Sequence, residues 1–570
     1  MNHVVTYLDL ADSLLCSIPT RARITGSPKL SSQKSFQVRV DRTMPFEFIA
    51  NLMPPFCRLW GSDVHFDYSD YDAALTVLGG ELKADVFIIW IDWRIYLKSM
   101  TAYEAVHWLQ ERLAQLRAST DKPIWVNNWP ESLGAGDILF SFTASDNGWF
   151  RKLNSLLSEW IEQTAGIMLI DLAVLVHEGS NSFYDYRNEE ISNYPFSNEA
   201  TILISRHLSV HLLPATFAPR LKALALDLDD TLYNGVLGEE GVEGISLTEG
   251  HTLLQKLLLR LKQSGILLTL CTRNEEEDVK ALFEKRDDFP LKWDDFAAVC
   301  ANWRTKAENL KHLAQILNID PSSFLFVDDN PAELIKMAAA WPEVHLLRAK
   351  RSGQETMKGL CHYPGLYQLH SDGVGLSRTV DIQANQKRDK IKNEASDYNA
   401  YLDSLGMRIT VYENELSHVK RLYELSHKTN QFNLALRRMK GNEVKEFMDN
   451  NAYLCITISL SDMLSDSGII GAFVCRIEGE QAQLLETLFS CRALGREIET
   501  VTFAWMLERL MNRGVKQLDI DTAQGPRNAP ALEWITRFAQ DLTKPQSLKE
   551  LLVHVKAACN DHPAKVEVNQ

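Results

Sequence analysis

The chain has 570 residues, of which 45% are apolar and 24% are charged, and its formal net charge is −15 at pH 7. This length exceeds what one hydrophobic core organises, so we expect about three domains. The acidic balance argues against a general nucleic-acid-binding protein, which needs a surplus of lysine and arginine to neutralise phosphates.

Cysteine usage indicates a reducing compartment, and the lengths of the apolar runs argue against a membrane span. There are nine cysteines, an odd number, and no CxxC pair, which argues against a disulfide framework and a structural zinc site. The densest apolar runs, VFIIWI and GILLTLC, are too short to span a bilayer. The first residues lack the basic and apolar segments of a signal peptide. We therefore expect a cytoplasmic protein with no membrane partner.

Residues 35 to 215 alternate short apolar runs with helical stretches. The runs are SFQVRV, ADVFIIWIDW, KPIWVNNW and GIMLIDLAVL. Apolar strands that are each followed by an amphipathic segment are typical of a parallel sheet covered on both faces. Two prolines in LLPATFAPR predict a domain boundary, which gives an N-terminal α/β domain over residues 1–218. Its Trp90 and Trp93 either line a pocket or pack in the core or at the surface.

A second alternation of strands and helices begins at Leu221. The predicted strands are ALALDLDD, ILLTLC and SFLFVDD, and the predicted helices are HTLLQKLLLRLKQSG, NEEEDVKALFEKR, KAENLKHLAQILN and PAELIKMAAAW. Asn274 is the expected N-cap of the second helix. The pattern predicts a doubly wound α/β domain over residues 219–375, with functional groups at the carboxyl ends of its strands. The polar stretch from 350 to about 400 is interpreted as a connecting segment.

The third predicted domain, residues 376–570, has a different order of elements. Strands are predicted at MRITVYENE, YLCITISLSDM, GIIGAFVCRIEGEQAQLLETLFSC and VKQLDIDT, and helices at HVKRLYELSHKTNQF and ETVTFAWMLERLMNRG. An antiparallel run interrupted by a helix indicates an α+β domain.

The most informative motif is DLDDT, residues 227–231, which directly follows the apolar run LKALAL. Side chains two positions apart on an extended backbone point the same way, so Asp227 and Asp229 are expected to converge. Two close carboxylates repel each other unless a cation or a shared proton intervenes. Mg²⁺ is the natural cation, because it binds carboxylates, water and phosphate oxygens. The alternative is a turn that is rich in capping residues.

Three further elements stand at strand ends or at a helix start. The pair 328–329 ends SFLFVDD, Thr272 directly follows ILLTLC, and Lys306 opens the helix after ANWRT. Phosphoryl transfer needs a nucleophile, a metal ion and donors that balance the charge on the equatorial oxygens. Asp227 fits the first role, Asp229 and the 328–329 pair fit the second, and Lys306 and Thr272 fit the third.

These elements resemble the haloacid dehalogenase superfamily of aspartate-nucleophile phosphotransferases. The segments LDLDDTLYNGVLGEEG, LCTRNEEEDV, NWRTKAENL, FVDDNPAE, TNQFNLALRR and FSCRALGREIE are similar to its FkbH-like branch. The resemblance covers most of the chain and implies a central Rossmannoid domain without a large cap, with Mg²⁺ as cofactor. The roles that it implies are Asp227 as nucleophile, Asp229 as general acid and base, Thr231, Thr272, Arg273 and Lys306 as phosphate-binding residues, and Asp227, Asp229, Asp328 and Asp329 as metal ligands.

FkbH-like proteins load a glyceryl unit from 1,3-bisphosphoglycerate onto an acyl carrier protein, so the resemblance implies that reaction here. Cys271 stands at the position of the branch's Cys-Ser-Lys-Asn motif, which is Cys-Thr-Arg-Asn in this chain. A thiolate beside a phosphate site can attack an acyl phosphate and hold the acyl group as a thioester. Arg273 and Lys306 are expected to lower the pKa of this thiol. The alternative is a buried cysteine that fills space at a strand end.

The loop LYNGVLGEEGVEG has four glycines and is predicted to form a hairpin flap over the site. Tyr233 replaces a tryptophan that the branch often has at this position. No insertion is long enough for a full cap, so we expect a site that is open to a phosphopantetheine arm. One alternative is a magnesium phosphatase of a small metabolite, and the other is a scaffold that binds the carrier protein without catalysis.

In the third domain, residues 492–497 (RALGRE) join a strand to a helix, and backbone amides at such a helix start can bind a pyrophosphate. The loop resembles that of GNAT acyltransferases, although Glu497 would repel a phosphate. The residues that this resemblance implies for a carrier or CoA arm are Arg492, Gly495, Arg496 and Asn528. Cys491 is either a second thiol or a packed strand residue. Arg437 and Arg438 either meet an acidic carrier protein or are ordinary solvated charges.

The first domain resembles the N-terminal α/β region of FkbH-like proteins, which implies a flavodoxin- or SGNH-like fold. No Gly-Asp-Ser element opens it, so no catalytic role is assigned to it. The sequence as a whole predicts a three-domain enzyme.

Overall fold

The computed structural model describes residues 2–15, 18–80, 83–131, 146–179, 182–369, 375–395, 397–490, 493–539 and 541–569. The chain forms two compact units, Met1–Gly375 and Leu376–Gln570. The first unit contains two five-stranded sheets and the second contains a seven-stranded sheet. The predicted mixed α/β architecture with parallel sheets is confirmed, whereas the division of the first unit at residue 218 stays a prediction. Within the described ranges, no helix combines the length and apolar content needed to cross a bilayer.

The first sheet is parallel throughout, with the strand order β2-β1-β3-β4-β5. Its strands are β1 Lys34–Arg42, β2 Ser62–Tyr71, β3 Val86–Trp90, β4 Ile124–Asn127 and β5 Ile167–Ile170. The helices of this stretch of the chain are α1 Asn2–Leu15, α2 Arg21–Thr25, α3 Glu47–Ala50, α4 Met53–Arg58, α5 Ala102–Ser119, α6 Asp146–Glu162, α7 Leu172–Leu175, α8 Tyr186–Ser192, α9 Asn198–Arg206 and α10 Leu213–Phe217. Helix α1 packs away from this sheet, where its Asp12 pairs with Arg348 and Lys350. The central strands β3 and β4 are buried along their whole length, as expected for a parallel sheet.

Two details of this first sheet were open or missed in the sequence. Strand β2 was not predicted, because the polar residues of SDVHFDYSDY interrupt its apolar pattern at the edge of the sheet. Trp90 and Trp93 are fully buried, and the indole N–H of Trp93 donates to the carbonyl of Asn127 at 2.8 Å. Of their two interpretations, core packing is therefore the one observed.

The second sheet is also parallel, with the strand order β10-β9-β6-β7-β8. Its strands are β6 Ala223–Leu226, β7 Leu267–Thr272, β8 Ala298–Ala301, β9 Phe324–Asp328 and β10 His345–Arg348. Its helices are α11 Leu237–Gly244, α12 Glu249–Gln263, α13 Glu276–Lys285, α14 Lys306–Leu317, α15 Pro331–Ala340 and α16 Gly353–Cys361. Because β6 is central, with β9 on one side and β7 on the other, the carboxyl ends of these three strands are neighbours.

Three sequence predictions for this region need correction. The stretch from 350 to 400 is not a plain connector, because it contains α16, which packs closely on α12: a Cβ at Gly353 would lie 2.5 Å from the backbone nitrogen of His251. Asn274 is not a helix cap, since α13 begins at Glu276 and its N-cap is Glu275. The flap is not a β-hairpin. It is α11, two short helical turns separated by a kink at Gly241 (φ 68°, ψ 177°), and its base is closed by two 2.9 Å backbone bonds between Asn234 and Ser246.

The second unit is built on one mixed sheet with the strand order β16-β15-β14-β13-β12-β11-β17. Its strands are β11 Arg408–Glu413, β12 Tyr453–Ser461, β13 Asp466–Glu478, β14 Gln481–Phe489, β15 Gln517–Ile520, β16 Gln546–Ser547 and β17 Lys565–Asn569. Its helices are α17 Gly375–Glu394, α18 Tyr398–Ser404, α19 Val419–Lys428, α20 Gly441–Asp449, α21 Ile498–Asn512, α22 Ala529–Thr536 and α23 Leu548–Cys559. Strands β11 to β14 are antiparallel, and β15 joins β14 in parallel.

Candidate active site

The candidate site forms where β6, β7 and β9 end side by side. Asp227 follows β6, and its backbone N–H donates to the carbonyl of Val327 on β9 at 2.9 Å. Asp328 is the last residue of β9 and Thr272 is the last residue of β7. The parallel register therefore brings residues that are about a hundred positions apart to one edge of the sheet, as the doubly wound pattern predicts.

Three carboxylates meet at this edge. One oxygen each from Asp227, Asp328 and Asp329 lies within 4.8 Å of the others. Burial raises the pKa of Asp227 to about 7, although the ammonium of Lys306 opposes this shift. Burial also raises the pKa values of Asp328 and Asp329. These three carboxyl groups resist ionisation when no cation is bound. A hard divalent cation such as Mg²⁺ prefers carboxylate oxygens and would stabilise their charged forms.

Lys306 provides a positive charge inside this group. Its ammonium nitrogen lies 2.8 Å from Asp227 Oδ1 and 2.6 Å from Asp328 Oδ2. Burial disfavours the charged lysine, but the two carboxylates outweigh it and hold its pKa above the ordinary value. The position of Lys306 is fixed because it is the first residue of α14, whose start is closed by a capping box between Thr305 and Glu308.

The Asp229 carboxylate is not part of the group of three carboxylates, so its role as a metal ligand stays a prediction. Its Oδ1 accepts hydrogen bonds from the Tyr233 hydroxyl at 2.6 Å and from the Leu237 backbone N–H at 2.9 Å. Its Oδ2 accepts one from Asn274 Nδ2 at 2.8 Å. Since β6 ends at Leu226 and Asp229 lies in the turn that follows, strand alternation does not set the direction of its side chain.

Asn274 is a site residue that the sequence interpretation missed. Its Nδ2 donates to Asp229 and also to Thr272 Oγ1 at 3.0 Å. The available signal was its position two residues beyond the end of β7, where polar side chains of this fold gather. The sequence pattern favours Asn274 as a helix N-cap instead, because asparagine is common at helix starts.

The two threonines predicted at the phosphate are buried in different environments. Thr272 is 1% exposed and accepts the hydrogen bond from Asn274. Thr231 is fully buried, and its hydroxyl has no hydrogen-bond partner among the described residues. A buried hydroxyl without a partner is destabilising, and a ligand or water oxygen would satisfy it.

Arg273 lies at the rim of the site. Its side chain is 40% exposed and forms an ion pair with Glu333 at 3.3 Å. Glu333 also pairs with Lys336 at 2.8 Å. The guanidinium is therefore accessible to a ligand, but its ion-pair partner belongs to α15 and not to the buried carboxylate group.

Cys271 does not have the properties predicted for a nucleophile. It is fully buried in β7, beside Cys300 of β8 in the strand register, and its thiol contacts the backbone carbonyl of Lys306 at 3.6 Å. Burial raises its pKa well above the usual value, and the charge of Lys306 opposes this only in part. The predicted lowering of its pKa is wrong, because desolvation exceeds the effect of the nearby cation. The alternative of a packed cysteine is the one observed.

The arm-binding residues predicted in the second unit are largely engaged within the protein. Arg492 and Cys491 lie outside the described residues. Arg496 is buried and pairs with Asp462 at 2.8 Å. Asn528 is fully buried, and its side-chain amide donates to the carbonyls of Asn433 and Ala523, at 3.0 and 2.8 Å. Neither side chain is available to an arm, which corrects both predictions.

The start of α21 is also unsuited to a pyrophosphate. Gly495 has a φ of 77°, and the N-cap Glu497 adopts a left-handed conformation with a φ of 54°. Glu499 is buried in the first turn, where burial raises its pKa to about 7. Two carboxyl groups at a helix start would repel a phosphate. The expected repulsion by Glu497 is therefore reinforced by a second acidic residue.

Arg437 and Arg438 point to different partners. Arg437 pairs with Glu443 at 3.1 Å and is 40% exposed. Arg438 donates to the backbone carbonyls of Ser426 and Thr429. Their two interpretations, a carrier-protein surface or ordinary solvated charge, stay open.

Comparison with known proteins gives a fold but no family. No family model matches the sequence, and neither does any curated protein. A solved structure of the N-terminal part of the protein BF1531 from Bacteroides fragilis, which contains a phosphatase domain complexed with Mg, is 23% identical. The match covers 61% of this chain and 97% of that one, with a TM-score of 0.50. At this identity the similarity shows the fold alone.

Several acetyltransferase structures match a smaller part of the chain. The ribosomal-protein-S18-alanine N-acetyltransferase from Escherichia coli is 12% identical, over 23% of this chain and 76% of that one, with a TM-score of 0.19. The PaiA N-acetyltransferase from Thermoplasma acidophilum, in complex with coenzyme A, is 12% identical, over 22% and 86%, with a TM-score of 0.18. These similarities are too low to support an argument about the second unit.

Proposed function

We propose that the chain is a magnesium-dependent phosphatase or phosphotransferase of the haloacid dehalogenase type, with Asp227 as its nucleophile. The observation that carries this proposal is the meeting of Asp227, Asp328 and Asp329 within 4.8 Å, with Lys306 between the first two. The phosphatase domain of the structurally similar Bacteroides fragilis protein, which was complexed with Mg, supports it.

Asp227, Asp328 and Asp329 would hold the metal ion, which when bound neutralises charge on the carboxylates and on the phosphoryl oxygens. A carboxylate oxygen of Asp227 attacks the phosphorus atom, and the bond to the leaving oxygen breaks as the aspartyl phosphate forms. The ammonium of Lys306 and the hydroxyl of Thr272 donate to the phosphoryl oxygens. Water then hydrolyses the aspartyl phosphate and regenerates Asp227.

Asp229 is the proton carrier in this mechanism. It protonates the leaving oxygen in the first step and accepts a proton from the attacking water in the second. Its carboxylate accepts hydrogen bonds from Tyr233, Leu237 and Asn274, and because a carboxylate has about four acceptor sites, one site on Oδ2 remains for the proton that it transfers. Because Leu237 begins the flap helix α11, movement of the flap and availability of Asp229 are linked.

For the natural reaction we propose glyceryl transfer from 1,3-bisphosphoglycerate to an acyl carrier protein. The support is the resemblance of the motifs to FkbH-like proteins and the short flap, which leaves room for a protein-borne arm. Since Cys271 is buried with a raised pKa, we do not assign it the acyl group. The pantetheine thiol of the carrier protein would attack the acyl carbon of the acyl phosphate, forming a 3-phosphoglyceryl thioester and releasing one phosphate, which takes the thiol proton. Asp227 would then accept the remaining phosphoryl group from the C3 oxygen, and hydrolysis of the aspartyl phosphate would release the second phosphate and leave a glyceryl thioester.

The burial of Cys271 equally favours a magnesium phosphatase that acts on a small metabolite, and this is the second candidate function. Incubation with 1,3-bisphosphoglycerate, with and without a phosphopantetheinylated carrier protein, distinguishes the two by intact-mass measurement. Glyceryl transfer predicts a glyceryl thioester on the carrier protein only when the enzyme is present. A plain phosphatase releases phosphate and leaves the carrier protein unmodified. Absence of turnover with any phosphate ester would leave the scaffold as the remaining function.

A further inference from the structure

A cavity of about 360 Å³ lies in the second unit where β14 and β15 separate. The two strands pair as far as Leu484 and Ile520, and the last bond between them runs from the Asp521 N–H to the Leu484 carbonyl at 3.0 Å. The cavity is lined by Ala435, Arg437, Leu485, Asp521 and Thr522. Its volume is at the lower end of the range for metabolite sites. It contains none of the residues assigned above to phosphate chemistry, and of the residues considered above for the carrier protein it contains Arg437.

Beyond this separation the chain itself occupies the space between the strands. Leu434 donates to the carbonyl of Thr487 on β14 at 3.1 Å, and its own carbonyl accepts from the Ala523 N–H at 3.0 Å. The Phe489 N–H donates to the carbonyl of Phe432 at 2.9 Å. The segment 432–434 therefore lies between the two chains beyond the cavity, where Asn433 forms an isolated antiparallel bridge with Leu488.

The loop that supplies Ala435 and Arg437 is held by a buried carboxylate. Glu486 is fully buried and accepts hydrogen bonds from the backbone N–H groups of Ala435 at 2.9 Å and Arg437 at 2.7 Å. Burial raises the pKa of Glu486 to about 7, although these N–H groups favour its charged form. A buried carboxyl group is destabilising unless its oxygens are hydrogen-bonded. The hydrogen bonds to Glu486 therefore hold the loop at this wall of the cavity.

The same loop contains strained backbone. Leu436, between the two lining residues, has a φ of 55°, which is uncommon for a branched side chain. The Asn433 side chain accepts from the Leu436 N–H at 2.6 Å, and Asn528 bonds both the Asn433 carbonyl and the Gly525 N–H. Gly525 lies against the same residue, because a Cβ there would be 2.5 Å from the end of the Leu436 side chain. Strained backbone that is held by several buried polar groups is characteristic of binding sites.

The lining carries one group of each charge. The Arg437 guanidinium has a single ion pair, with the partly exposed Glu443, and the Asp521 carboxylate accepts a hydrogen bond from the neutral Gln483 side chain at 2.8 Å. We propose that this cavity binds a small zwitterion of the amino-acid type, whose carboxylate contacts Arg437 and whose ammonium contacts Asp521. The hydroxyl of Thr522 and the apolar side chains of Ala435 and Leu485 complete the lining. Complementary charges on both groups fix the orientation of such a ligand.

The first test uses the full wild-type chain and needs no variant. Free L-amino acids and glycyl dipeptides are titrated singly by calorimetry, and the best binder is then compared with its analogue that lacks the amine and its analogue that lacks the carboxylate. The proposal predicts saturable binding of the zwitterion and at least about tenfold weaker binding of each analogue. No saturable binding by any member, or equal binding of either analogue, would overturn it.

The second test places the ligand in the cavity. Arg437→Gln and Asp521→Asn should each weaken binding by about tenfold or more. Arg438→Gln is the matched control, because that guanidinium is engaged with the Thr429 carbonyl and the Asn430 side chain. Binding that survives both cavity variants, or that is lost equally in the control, would place the ligand elsewhere and refute the proposal.

Discussion

The ammonium nitrogen of Lys306 lies 2.8 Å from a carboxylate oxygen of Asp227 at the carboxyl edge of the second sheet. This contact lets a buried aspartate keep a charge that desolvation opposes, and a nucleophile must be charged to attack phosphorus. The same lysine lies 2.6 Å from Asp328. The positive charge of Lys306 therefore compensates the negative charge of both carboxylates before any metal or substrate is bound.

Lys306→Ala should destabilise the metal-free protein by about 3–5 kcal/mol, because it leaves two buried carboxylates without their cation. Urea unfolding measures the change. Lys311→Ala is the matched control, since Lys311 is exposed on the same helix, and it should change stability by less than about 0.5 kcal/mol. Similar effects of the two substitutions would contradict the assigned role of Lys306.

Asp329→Asn should weaken Mg²⁺ binding, because it removes one charged oxygen donor from the group of three. Mg²⁺ should raise the unfolding temperature of the wild type more than that of the variant at equal concentration, since stabilisation follows ligand affinity. Asp230→Asn is the control: asparagine tolerates its φ of 49° and keeps the oxygen that accepts from Gly235. Equal Mg²⁺ shifts in wild type and Asp329→Asn would exclude Asp329 as a ligand.

Asp229→Asn should keep the Mg²⁺-induced stabilisation but lose turnover, because the Asp229 carboxylate lies apart from the metal-ligand group and acts on protons. Loss of a general acid or base costs roughly 10²–10⁴-fold. The loss should be larger for an alkyl phosphate than for an aryl phosphate, whose leaving group needs less protonation. Steady-state kinetics with both substrates measure it. A lost Mg²⁺ response in this variant would restore Asp229 to the metal site.

Cys271→Ala should leave phosphate release within a few-fold of the wild type and lower stability by about 1–2 kcal/mol, as expected for a smaller side chain in a packed strand. In the native wild type, iodoacetamide should label the exposed Cys361 and leave the buried Cys271 unmodified. Peptide mapping by mass spectrometry reports both. Rapid labelling of Cys271, or loss of activity in Cys271→Ala, would support the thioester route that its burial argues against.

Glu499→Gln should stabilise the second unit at pH 8 and have little effect at pH 5. Burial raises the pKa of Glu499 from 4.5 to about 7, so the folded state holds this proton more tightly than the unfolded state. The stability of the wild type is therefore greatest below the unfolded pKa and falls as the pH rises through the folded one, by up to about 3 kcal/mol. Glutamine does not titrate. Urea unfolding at the two pH values should show a gain only at pH 8, and equal changes at both would contradict this pKa.

The sequence was informative where strands are apolar and buried. The runs ending at Asp227, Thr272 and Asp328 were recognised as strands, and their parallel order follows from the intervening helices, so three parts of the site could be brought together in advance. The short strands β8 (AVCA) and β10 (HLLR) were missed, because small residues in the first and polar ends in the second give a weaker apolar run than the ALAL of β6 or the IMLI of β5. The polar composition of residues 350 to 400 hid three helices, since their stability depends on tertiary packing that composition does not show.

The properties of individual site residues were harder to infer. The pKa of Cys271 depends on its burial in β7, whereas the sequence showed only its cationic neighbours. The direction of the Asp229 side chain depends on where β6 ends, and a difference of two residues turns the carboxylate towards the flap. The engagement of Asn528 with residues about ninety-five positions away depends on a fold of the second unit that no local motif specifies.

The central claim is that Asp227 is the nucleophile that accepts the phosphoryl group. Acid-quench trapping of the phosphorylated protein tests this claim most directly. The full chain is mixed with Mg²⁺ and a phosphate donor, quenched in acid within the first turnover and mapped by mass spectrometry. One phosphoryl group on the peptide that contains Asp227, absent from folded Asp227→Asn, is the predicted result. A phosphoryl group on another residue, or undiminished phosphate release by Asp227→Asn, would contradict the account.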